Sequence, residues 1–155
     1  MTSRRDFVAQ IAGIALASLG SSRAFGQRVA PATPITVYKS SSCGCCAKWV
    51  DYLRANGFAP AVHDEENMEA IKDDMAVPKQ VRSCHTAVLG RYIVEGHVPA
   101  GDIRRLLEQH PAVLGLAAPG MPKSGPGMAT PGEAPEPYDV LSFTGDGKTA
   151  VFARH

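Results

Sequence analysis

No excess of charge of either sign marks this chain: 16 Lys and Arg face 15 Asp and Glu over 155 residues, a formal +1. Such a chain presents no field for nucleic acid or an anionic membrane surface. Long hydrophobic runs are missing as well. The apolar stretch from Val8 to Leu19 falls short of the roughly 20 residues that a permanent membrane helix needs. There is no Ser-His-Asp order, no phosphate-cradling glycine loop, no pair of carboxylates placed for hydrolysis and no internal repeat. Cysteine is scarce but concentrated. The chain has four, of which Cys43, Cys45 and Cys46 fall within four residues and Cys84 is followed at once by His85.

The first residues read as an export signal over 1–26. Thr2-Ser3-Arg4-Arg5-Asp6-Phe7 precedes the apolar run, and Ala24-Phe25-Gly26 offers small residues for cleavage. Ser-Arg-Arg-x-Phe resembles the twin-arginine signal, which exports proteins already folded, so the expected address is the periplasm or the outer cell face. A retained N-terminal anchor is the alternative to cleavage; after cleavage no stable membrane insertion is expected. Cleavage removes Arg4, Arg5, Arg23 and Asp6 and leaves 129 residues with 13 bases against 14 acids, enough for one core and not for two. In an oxidising compartment exposed thiol pairs are driven toward disulfides unless a bound metal protects them.

After a short linker over 27–34, periodicity predicts strand, helix, strand, helix, strand, strand, helix. Ile35 to Tyr38 is β-rich. Cys45 to Asn56 carries Trp49, Val50 and Leu53 on one face and stops at Gly57. Ala59 to Asp64 is a second strand and Glu66 to Met75 a polar helix. Thr86 to Val94 reads as a hairpin turned at Gly90-Arg91, and Ala100 to Glu108 as a helix with Ile103, Leu106 and Leu107 inward. This is a thioredoxin-like α/β order in its short glutaredoxin-type form, within a single domain over 35–155. Residues 111–155 are expected to form an extension packed on that domain. Within it, Gly115 to Pro137 shows almost no periodicity, though Leu116 and Met121 offer apolar surface to bury, and Tyr138 to Phe143 with Thr149 to Arg154 forms a last hairpin turned at Gly145-Asp146-Gly147.

On that order, Cys43-x-x-Cys46 lies at a helix N-terminus, where thiolates are stabilised, and the Ser83-Cys84-His85-Thr86 loop packs against it. Thioredoxins and glutaredoxins place a cis-proline in that loop, but no proline lies between Pro78 and Pro99. Three readings compete, the third a structural zinc protein. Cys43 and Cys46 alone suit a thiol-disulfide oxidoreductase. The additional Cys45 and the Cys84-His85 pair favour a soft metal, because crowded thiolates repel unless a proton, a disulfide or a soft cation neutralises them, and thiolates select Cu(I). The cluster is denser than a structural zinc site, which usually draws on two separated Cys pairs, and suits sulfurs bridging several copper ions. The candidate metal ligands are Cys43, Cys45, Cys46, Cys84, His85 and His97.

The residues also resemble the CopG-like copper-resistance proteins. The matching stretches are Val37-Tyr38-Lys39-Ser40, Cys43-Gly44-Cys45-Cys46 with Trp49, Arg82 to Ala87, Glu95-Gly96-His97-Val98-Pro99, Gly115-Leu116 through Pro122, and the end from Tyr138 to His155. The resemblance implies a thioredoxin-like fold, a periplasmic location, Cu(I) held by the cysteine cluster and a role in copper tolerance, with copper ions and copper donor or acceptor proteins as partners. It also carries copper redox interconversion as a further option. Ser41-Ser42 departs from the family's turn, which should change the turn and not the ligands.

Other residues carry plainer expectations. His97 is either a helix-entry residue bonding backbone or a metal-side residue. His63 is expected to be solvated beside Asp64, Glu65 and Glu66, His110 to serve a helix C-terminus, and His155 to be a free end. Met121 is expected to pack over the core and Met128 to be exposed, a weak copper-ligand role being the lesser alternative for it. Trp49 is expected in the core, and Lys48 either stabilises thiolate charge or lies on a solvated helix face.

Overall fold

The computed structural model describes residues 31–155; the expected export signal and residues 27–30 of the linker lie outside the described residues. The chain runs β1 (Thr33–Lys39), α1 (Gly44–Ala55), β2 (Phe58–Asp64), α2 (Met68–Asp74), a 3-10 turn at Lys79–Val81, β3 (His85–Leu89), β4 (Tyr92–Gly96), α3 (Ala100–Gln109), β5 (Gly115–Ala118), β6 (Asp139–Phe143) and β7 (Thr149–Arg154). One mixed seven-stranded sheet has the order β2-β1-β3-β4-β5-β6-β7. The parallel pairs β1/β2 and β4/β5 are each bridged by a helix, α1 and α3, and the other pairs are antiparallel. The mixed α/β class matches the expectation. The sheet is larger than the short order implies, because β5 extends it and carries the last hairpin.

The elements form where the side chains dictate. In α1, Trp49, Val50 and Leu53 are buried on one stripe, and Gly57, at φ 81°, ends the turn after it in a conformation that favours glycine. Every residue of β4 is buried, as expected of a strand covered on both faces. β5 is the element that periodicity missed. All four of its residues are buried, so no alternation marks it. Gly115 starts it because a Cβ there would sit 1.9 Å from the Ile93 carbonyl oxygen. The main core joins Val37, Trp49, Leu53, Val94, Ile103, Leu106, Leu116 and Val140, drawing on α1 and α3 and on strands from both halves of the sheet.

Three expectations about the C-terminal part are corrected. Met121 is 48% exposed, not packed over the core. Gly120 and Met121 both take positive φ, 73° and 51°, and this turn carries the side chain outward. Met128 is instead half-buried. His155 is not a free end: its backbone exchanges two 3.0 Å hydrogen bonds with Tyr138, and its Nε2 lies 2.7 Å from Asp102 Oδ2. Strand pairing of β7 beside β6 delivers it there.

Candidate metal centre

The N-terminus of α1 builds half of the site. Cys43 is its N-cap, and its Sγ accepts from the Cys46 N–H at 3.3 Å. Cys43 and Cys46 are joined in a disulfide. Cys45 is a free thiol whose Sγ lies 3.5 Å from Cys43 Sγ. The other half comes from the loop entering β3 and from the turn leaving β4. Cys84 Sγ lies 3.4 Å from His85 Nδ1 and 3.2 Å from His97 Nε2.

All six sequence-predicted ligands therefore converge. Cys43, Cys45, Cys46 and Cys84 have their sulfurs within 4.8 Å of one another, and Cys84, His85 and His97 form a second such group. Cys84 belongs to both. It is the vertex between the thiol face and the imidazole face.

The environment sets protonation. Burial pushes His85 well below its ordinary value, helped by His97 and Lys72. Burial also pushes His97 down, opposed by its bond to Pro126. Both rings are thus held neutral, the form that binds metals. A carbonyl only accepts, so His97 Nδ1 donates to the Pro126 oxygen at 2.8 Å, leaving Nε2 with its lone pair toward Cys84. His85 packs against Trp49 in a tilted pair, 4.4 Å between ring centroids, and meets His97 edge-on at 4.9 Å. Its Nε2 is a buried atom with no hydrogen-bond partner among the described residues. The Cys84 thiol is pushed up to about 11, first by burial and then by Cys45. Helix-end stabilisation of a thiolate therefore does not extend to Cys84. A metal arriving there must displace a proton.

Of the residues given plainer roles, His97 bonds backbone at the Pro126 oxygen and has its Nε2 3.2 Å from the Cys84 sulfur. His63 is exposed and stacks on Tyr38, Lys48 is exposed, and His110 caps α3 through its backbone N–H to the Leu106 oxygen. Asp64 is not merely solvated, since it pairs with the buried Lys39 at 2.6 Å.

Sequence reasoning missed the support around the loop. Lys72, counted only as part of a polar helix, is 1% exposed and pairs with Glu95 at 2.5 Å. Glu95 also accepts from the Ser83 N–H and the Thr86 hydroxyl. Burial pushes the Glu95 carboxyl up, and Lys72, Ser83 and Thr86 pull it down. The available signal was a lone acid in the otherwise apolar strand Tyr92-Ile93-Val94-Glu95. The Gly/Pro segment, expected to lie over the core, closes on the site: a Cβ on Gly127 would meet the Trp49 nitrogen at 2.8 Å, and one on Gly125 the His97 Cβ at 3.1 Å.

Against known proteins, a family described as "Protein of unknown function, DUF411" matches residues 81–128, the stretch with Cys84, His85, His97 and Pro126. Two solved structures titled "Copper resistance protein copG", Form 1 and Form 2, are each 41% identical to the chain. Each match covers 80% of this chain and 98% of the other, with a TM-score of 0.74. No curated protein matches the chain.

Proposed function

This chain belongs to the CopG family of copper resistance proteins, and from that premise we propose that it holds Cu(I) in a cluster of Cys43, Cys45, Cys46 and Cys84, with His85 and His97 at its side. The observation that carries this is the convergence of four sulfurs within 4.8 Å, one of them shared with two neutral imidazoles. Soft, crowded thiolates prefer Cu(I) and can bridge several ions. The separated Cys pairs of a structural zinc site are not what this site offers, which weighs against zinc. With the disulfide closed only Cys45 and Cys84 are free thiols, so full loading needs that bond reduced by two electrons from two external thiol groups, which leave as a disulfide.

The wider reading is a periplasmic protein contributing to copper resistance, exchanging copper with donor or acceptor proteins. The twin-arginine-like residues Arg4-Arg5 support export. A thioredoxin-like description is supported by β1-α1-β2 with Cys-x-x-Cys at the start of α1, and by the β3–β4 hairpin leading to α3. Residues 35–155 are read as one domain, since β5 to β7 continue the same sheet. Under reducing conditions, competition against a Cu(I) chelator is expected to give more than one Cu(I) per chain. No uptake, or a preference for one tightly bound Zn(II), would contradict the reading.

The Cys43–Cys46 disulfide, with Cys45 at 3.5 Å, favours a second reading in which the site also exchanges electrons with copper. Two Cu(I) would each give one electron, and with two protons the disulfide would become two thiols and the metal two Cu(II). Oxidised apo-protein mixed with Cu(I) is expected to gain free thiols as Cu(II) accumulates. An unchanged thiol count would leave binding as the only activity.

A further inference from the structure

We propose that Glu95, tied to Lys72, is the positioning residue that presents Cys84 and His85 to the metal. This rests on the copper-binding reading and adds the part that aims its ligands. The carboxylate grips the two residues that flank the ligand pair. Oε1 accepts from the Ser83 N–H at 2.6 Å, and Oε2 accepts from the Thr86 hydroxyl at 2.7 Å. Lys72 completes the ring, donating to Glu95 Oε1 at 2.5 Å and to Thr86 Oγ1 at 2.8 Å. Lys72, Thr86 and Glu95 are all essentially without exposure, and Lys72 is the one buried residue of α2.

Buried ion pairs are a poor way to stabilise a fold, because apolar residues of similar volume often do as well or better. What a fully bonded pair supplies is direction. Here the direction is specific: three successive residues each fix one part of the loop. Glu95 holds Ser83 and Thr86. Gly96 leaves room for Ser83, since a Cβ there would lie 2.5 Å from Ser83 Oγ and 2.8 Å from the Ala118 oxygen. His97 faces the Cys84 sulfur. The loop is thereby held from the strand side, while Trp49 lies against His85 from α1.

The test is the reduced full-length protein with Lys72→Met and Glu95→Leu combined, which removes the clamp without leaving an unpaired buried charge. Three quantities are read: the melting temperature of the apo-protein, Cu(I) affinity by chelator competition, and the thiolate-to-copper absorption band. The expected result is a folded protein melting close to wild type, with Cu(I) affinity reduced about 10- to 100-fold, as for other residues that orient metal ligands, and a shifted band. A folded double variant with wild-type affinity and band would overturn the proposal. Should the double variant fail to fold, Thr86→Val decides: it removes one clamp hydroxyl and keeps the ion pair. A several-fold loss of affinity then supports the clamp, and no loss overturns it. Wild-type protein that takes up no Cu(I) would remove the copper reading itself and the clamp with it, a result distinct from wild-type binding with indifferent variants.

Discussion

Replacing Cys84 by Ser is expected to lower Cu(I) affinity more than about 100-fold, beyond what loss of a merely orienting residue costs, and to leave the apo-protein folded. Cys84 is the one residue common to the thiol group and to the imidazole group. It arrives on the loop before β3, while the other three cysteines share the start of α1. No neighbour on its own segment can take its place, and the hard hydroxyl of serine is a poor ligand for a soft ion. Cys43→Ser and Cys46→Ser are expected to act in the same direction, each also removing the disulfide. Chelator competition on the reduced variants reads this out. A Cys84→Ser protein with wild-type stoichiometry and affinity would show that the two halves of the site do not bind the metal together.

Trp49→Ala is expected to cost about 3–5 kcal/mol of stability, the range for truncating a large buried aromatic. The indole is fully buried, donates from Nε1 to the Val98 oxygen at 3.0 Å, and lies against the His85 ring. Its removal opens a cavity under the candidate metal centre and leaves the Val98 carbonyl without this partner, in the turn between His97 and Pro99. For a chain of this size the melting temperature of the apo-protein should fall by roughly 10–20 °C. Trp49→Phe keeps most of the ring area and loses the hydrogen bond, so a loss of only about 1–2 kcal/mol is expected. An alanine variant melting within about 2 °C of wild type, well inside the effect of 1 kcal/mol, would mean that Trp49 does not join α1 to the β4 turn.

The parts legible in the sequence are those with local signals. The α1 stripe, the Gly57 stop and the Gly90-Arg91 turn each follow from spacing or from backbone preference at one residue. The candidate site was legible because chemistry concentrated it: no other thiols compete, and Cys84-His85 is adjacent. What escaped is non-local. β5 has four residues buried on all sides, so neither alternation nor length betrays it. The outward turn of Met121 depends on two successive positive φ angles. The clamp joins α2, β3 and β4, so Lys72 looks like one more polar helix residue until the fold places it beside Glu95. His155 likewise gains its place only through the pairing of β7 with β6.

X-ray absorption at the copper edge, on protein reduced, loaded with Cu(I) and freed of excess metal, reads the number of coppers and their ligands together. The expected result is more than one copper per chain, a first shell dominated by sulfur and a short copper–copper vector from bridging thiolates. A single copper, or a first shell of nitrogen and oxygen without sulfur, would contradict it.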